Sequence, residues 1–226
     1  MSMAFYGDLA QRPSVPALVP PAVGVALAGP LGAPYMPAVL RTAYAAALLH
    51  RGDRAAAAII AGLPDNADTA DLRGQVAELA GDPQAALAAY ARAGDFERAQ
   101  RLIDASANAG RIADAARLER VLVDALTGAG QVAVRAVALW RLGQITQAQS
   151  QTLRDAARRI MLERASLGFY ERALMLAPNE ETYLLAAGEQ ALTLGNRAAA
   201  AGFYSRALAA VPDSADARAG LIRARP

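Results

Sequence analysis

Cysteine and lysine are both absent from these 226 residues, and histidine and tryptophan occur once each, as His50 and Trp140. Without cysteine there is no disulfide framework, no thiolate zinc ligand and no thiol nucleophile. A single histidine excludes a multi-histidine metal site within one chain. It also confines any serine–histidine pair to the surroundings of His50. No catalytic residue, metal ligand or cofactor is therefore expected, and the chain reads as a binding protein rather than an enzyme. All 23 basic residues are arginine, set against 21 acidic ones, for a net charge of +2. A pI of about 9.2 thus reflects near-balance and not a polycation built for nucleic acid.

Alanine is abundant instead, at 59 positions. It loses no side-chain entropy on entering a helix and lets two helices approach closely. With few aromatics and no two-residue alternation of apolar and polar positions, the expected class is all-α. Abundant alanine and arginine without lysine resembles the coding bias of a high-GC bacterium. This points to a bacterial cytoplasm or periplasm, with the periplasm favoured.

Proline divides the chain. Seven of the 12 prolines fall in the first 37 residues, which are uncharged from Pro13 onward. Proline removes an amide donor and restricts its predecessor, so residues 1–37 are expected to be an apolar arm or linker. Its longest proline-free piece, Ala22–Gly29, is far shorter than the roughly 20 apolar residues that span a bilayer. Asp8 and Arg12 precede the apolar stretch, and Ala26-Leu27-Ala28 could mimic a cleavage site. The preferred expectation is an arm that packs along the body, leads in from an upstream segment, or drives self-association.

Residues 38–226 contain repeats. GFYERALMLAP at 168–178 matches GFYSRALAAVP at 202–212, at an offset of 34. A second series pairs a glycine with an alanine five residues on: Gly52 and Ala57, Gly81 and Ala86, Gly110 and Ala115, Gly143 and Ala148, Gly195 and Ala200. Each glycine is expected to stop one helix in the left-handed conformation before the next begins.

These units resemble the tetratricopeptide repeat (TPR) family. Leu184, Ala187, Gly188 and Ala191 fit its first helix, and Ala200, Tyr204 and Ala207 its second. Gly74, Ala77, Ala86, Tyr90 and Ala93 repeat the pattern. The resemblance implies a right-handed α-solenoid of about five TPR-like helix pairs. A C-terminal capping helix over 215–225 should follow, with Leu221 and Ile222 inward and Arg218, Arg223 and Arg225 outward. The 52 residues between Gly143 and Gly195 depart from the repeat. Either one helix runs from about Thr146 to Ala177, or two helices break near Met161–Ser166.

The resemblance also implies a concave partner-binding groove built by the first helix of each pair. On it fall Thr42, Ala46 and Leu49, then Asp71, Gln75 and Glu78, then Gln100, Asp104 and Asn108, then Val137, Trp140 and Arg141. Its three carboxylates suit a basic or neutral extended peptide. The lysine-dependent carboxylate clamp of chaperone-binding members has no counterpart here. Arg154, Arg158, Arg159 and Arg164 form a basic patch, either a solvated face or a surface for an anionic partner. His50 and Arg51-Gly52-Asp53 read as a helix end, and Gly128-Ala129-Gly130 as a turn. Two functions follow as expectations. One is a non-enzymatic protein–protein interaction scaffold in a bacterial assembly or envelope complex. The other is an accessory helical domain of a larger membrane-bound polysaccharide-processing enzyme.

Overall fold

A computed structural model describes residues 37–225, so the arm, up to residue 36, lies outside the described residues. Eleven α-helices and one 3-10 turn account for the secondary structure described, with no strand among them. They are α1 (Ala38–His50), α2 (Ala56–Ala61), α3 (Ala67–Ala80), α4 (Pro83–Ala93), α5 (Phe96–Asn108), α6 (Ile112–Ala125), α7 (Val132–Thr152), α8 (Ala156–Leu176), α9 (Glu181–Thr193), α10 (Arg197–Ala210) and α11 (Ala215–Ala224). This is an all-α repeat fold of five consecutive TPR-like pairs followed by one more helix. The helices form two compact units, one ending at Ala99 and one beginning at Gln100, within α5.

In the first unit, short polar sequences set the helix ends. Asn66 caps α3, its side chain accepting from the Thr69 amide at 3.1 Å. Gly81 ends α3 at φ 76°, a conformation without penalty only for glycine. Asp82 then caps α4 by accepting from the Ala85 amide at 3.0 Å, with Pro83 in the first helical position. Two residues thus reverse the chain. Asp82→Ala is expected to cost about 1 kcal/mol in urea unfolding. Leu48, Leu49, Ile60, Leu63 and Leu72 pack α1, α2 and α3 together.

The interior of each well-formed pair follows one rule. A glycine in the first helix faces a tyrosine ring from the second: Gly74 meets Tyr90 in the first unit, and Gly143 meets Tyr170 and Gly188 meets Tyr204 in the second. A Cβ on Gly188 would sit 2.7 Å from the Tyr204 ring. The three rings are at most 1% exposed. Tyr204 also lies against Gly220 of α11, so one ring fills the space under both α9 and α11.

The long gap resolves differently from both expectations. α7 stops at Thr152 and α8 starts at Ala156, so helix continues straight through 161–166 and breaks at 153–155. Leu153 turns to extended backbone (ψ 133°), and the Asp155 carboxylate accepts from the amides of Ala157 at 2.9 Å and Arg158 at 3.3 Å. The result is a hairpin of two 21-residue helices, each about 32 Å long. Gly143 is correspondingly no helix stop but an interior residue of α7. The genuine stops, Gly52, Gly81, Gly94, Gly110 and Gly195, all have φ between 68° and 77°. Ala86, Ala115 and Ala200 are fully buried, whereas Ala57 and Ala148 are exposed. In the first pair, Ala56 takes the buried place.

α11 also differs in detail. Ala217, Gly220 and Ala224 are buried and Leu221 is half-buried against the Tyr204 core, while Ile222 is 65% exposed. The close approach of Gly220 to Tyr204 rotates the small residues inward. Arg223 points outward and pairs with Glu189 of α9.

Candidate protein-interaction site

In the first unit, α3 presents Asp71, Gln75 and Glu78 on one face, as the spacing of four and three requires. The structure supplies each carboxylate with an internal partner. Arg98, at the start of α5, donates to Asp71 at 2.6 Å, and the Gln75 amide donates to the same carboxylate at 2.8 Å. The Tyr90 hydroxyl donates to Glu78 at 2.5 Å. Burial and this bond to a carboxylate hold the Tyr90 phenol well above its ordinary pKa. Thr42 on α1 donates to its own helix backbone, and Leu49 is buried in the core.

The second unit holds the other predicted residues. Gln100, Asp104 and Asn108 lie on α5, and Val137, Trp140 and Arg141 on α7. Arg141 joins the two helices by donating to Asp104, and the Gln100 amide donates to Asp104 at 3.4 Å. Val137 is 44% exposed. Trp140 is half-buried and packs on Tyr183 of α9 with ring centroids 5.8 Å apart. Its indole nitrogen is buried and has no hydrogen-bond partner. Asn108 is exposed at the end of α5.

One residue of this cluster was not singled out by the sequence. Glu119 of α6 is fully buried. The Arg141 Nε lies 3.6 Å from its carboxylate, within ion-pair range but beyond a hydrogen bond, and neither oxygen has a hydrogen-bond partner. Burial pushes its carboxyl up to about 7, against the opposing pull of Arg141 and the Gln100 amide, and Asp104 pushes it further. The repeat register explains its place. Ala86 precedes Tyr90 by four, Ala200 precedes Tyr204 by four, and Ala115 precedes Glu119 by four. Glu119 thus occupies the buried tyrosine position. Sixteen residues before it, where Gly74 and Gly188 stand relative to their tyrosines, is Ile103, also fully buried. A larger first-helix residue thus coincides with a smaller second-helix one, and the smaller one carries a charge that packing alone does not call for.

Arg158, Arg159 and Arg164 of the basic patch lie on the exposed first half of α8, and Arg154 lies in the break that precedes it. Arg158 pairs with Asp155 at 3.5 Å and Arg159 with Glu163 at 3.8 Å. Arg154 and Arg164 have no carboxylate within 4 Å among the described residues. No cluster able to hold a metal ion occurs among the described residues, and none of their helices is long and apolar enough to cross a membrane.

A scan against protein-family models gives no match, and a comparison with curated proteins gives none either. Solved structures similar to the chain include the hetero-tetramer Cut9-Hcn1 of the APC/C (17% identity, TM-score 0.47) and the TPR domain of P58(IPK) (14% identity, TM-score 0.44). The alignments cover 99% and 98% of this chain, but only 45% and 64% of those chains. Paired helices, turn glycines and the glycine–tyrosine contacts, and not these scores, make the chain a TPR-like helical repeat protein.

Proposed function

We propose that the protein is a non-enzymatic scaffold that binds a peptide segment of a partner protein on the face formed by α5 and α7. The observation that carries this reading is Trp140. It is the only tryptophan, it is half-exposed beside the exposed Val137, and its indole donor is unsatisfied. Tryptophan and arginine are the commonest anchors of protein interfaces, and here they are adjacent. The Arg141–Asp104 bridge ties α5 to α7 at this face. The lysine-free composition fits a role within a bacterial assembly or envelope complex.

Peptide display on the full chain tests this. Selected peptides are expected to shift the single tryptophan indole N–H signal in NMR. Trp140→Ala should weaken their binding by about 30-fold, the loss typical of an interface anchor. Peptides whose affinity is unchanged by Trp140→Ala and by Asp104→Arg would place binding elsewhere.

A further inference from the structure

The cluster beneath that face is over-supplied with carboxylates. Asp104 and Glu119 share one guanidinium, that of Arg141. Arg141 is committed to Asp104, which is 46% exposed, and therefore stops 3.6 Å short of the buried Glu119. Neither Glu119 oxygen nor the Arg141 Nε makes a hydrogen bond of full geometry, and only the nearby Arg141 and Gln100 amide draw the Glu119 carboxyl toward ionisation. Unsatisfied buried polar groups are costly. The arrangement lacks one cation, and its outer carboxylate is reachable from solvent.

We propose that Asp104, Arg141 and Glu119 form a binding site for a cationic side chain, an arginine or lysine of the partner peptide. The incoming cation takes over Asp104, and Arg141 closes the short gap to Glu119. The step is balanced in charge. Before binding, Arg141 pairs with Asp104 and the buried Glu119 carries its proton. Afterwards the ligand pairs with Asp104 and Arg141 pairs with ionised Glu119, whose proton leaves to solvent. The polar and ionisable groups acting on Glu119 are Arg141 from α7 and Asp104 and Gln100 from α5. This inference rests on the peptide-binding reading and names the chemistry of its ligand.

The test uses the full chain with N-acetyl-Gly-Arg-Gly-amide and its citrulline counterpart, which keeps the shape without the charge. Binding is followed by NMR at about pH 6 and about pH 8. The arginine peptide is expected to bind saturably and the citrulline peptide not at all. Because binding releases a proton from a group near neutrality, affinity should be about tenfold higher at the upper pH. Glu119→Gln should hold the affinity at its low-pH value throughout, and Asp104→Asn should abolish saturation. Equal binding of the two peptides, or an unchanged pH profile in Glu119→Gln, overturns the proposal. Displayed peptides that bind at Trp140 without any cationic residue would overturn it and leave the scaffold reading standing. Failure of every displayed peptide to bind would remove both.

Discussion

Replacing Gly143 by alanine is expected to destabilise the protein by up to about 2 kcal/mol, and replacing Gly168 to stabilise it by about 1 kcal/mol. Both glycines lie inside helices of the same hairpin. In each, alanine gains about 1 kcal/mol of helix propensity. At Gly168 nothing lies within 4 Å of the added Cβ, so the gain stands. At Gly143 the Cβ would collide with the Tyr170 ring. That ring is 1% exposed, its hydroxyl donates to Gln147 at 3.2 Å, and Ser166 of the same helix donates to the Gly143 carbonyl at 2.8 Å. The helices cannot separate without breaking these bonds, and overpacking of this kind costs about 1–3 kcal/mol. The same contrast should hold between Gly188 and Gly202 around Tyr204. Urea unfolding of the four alanine variants measures it. A further variant, Gly143→Ala with Tyr170→Leu, should be more stable than the sum of its single changes. Equal effects at Gly143 and Gly168 would mean that the tyrosine contact does not set the spacing of the hairpin.

Glu119→Gln is expected to remove a stability loss that the parent suffers between acid and neutral pH. In the unfolded chain this carboxyl titrates near 4.5, and in the fold near 7. Between those values the folded protein keeps a proton that the unfolded chain has released. Stability therefore falls as pH rises through this window and is level above it. The total is about 3 kcal/mol. The glutamine variant, with nothing to titrate, should be flat there and more stable than the parent at pH 8 by up to that amount. Glu189 works in the opposite sense at lower pH. Its bond from Arg223 lowers its pKa, so its contribution is lost on acidification and leaves the upper window to Glu119. Denaturant titrations at several pH values would show the two slopes. An identical slope in parent and variant would mean that Glu119 is ionised in the folded protein.

Much of this fold could be read from the sequence because its local signals are physical ones. Of the left-handed glycine stops, those at 52, 81 and 195 are each followed by Asp or Asn, which can start a helix, as in Gly81-Asp82 and Gly195-Asn196. Gly143 carries the same letter but is followed by Gln-Ile-Thr, which continue a helix. That context separates a packing glycine from a turn glycine. The true break, at Leu153-Arg154-Asp155, has neither glycine nor proline. Its one signal is Asp155, whose carboxylate caps α8. Ile222 lies on the exposed side of α11, because the contact of Gly220 with Tyr204 turns Gly220 and Leu221 toward the core instead.

The candidate site was legible in part. Helical spacing placed Asp104, Trp140 and Arg141 on their helices, and the structure brings Arg141 of α7 onto Asp104 of α5. Arg98 and Tyr90 were missed as partners of Asp71 and Glu78. Their bonds cross between helices, at separations of 27 and 12 residues, that no single-helix pattern reveals. Glu119 was missed for another reason. Its letter reads as solvent-exposed, and only the count of four from Ala115 sets it in the tyrosine position.

That position is where fold and function meet, so the direct measurement is the titration of Glu119 itself. Carbon NMR of the full chain, labelled at glutamate side chains, should show one carboxyl signal with a midpoint near pH 7 that is missing from Glu119→Gln. If every glutamate carboxyl titrates below about pH 5, as ordinary exposed carboxyls do, then Glu119 is already ionised in the folded protein, and a cationic ligand has no proton to displace from it.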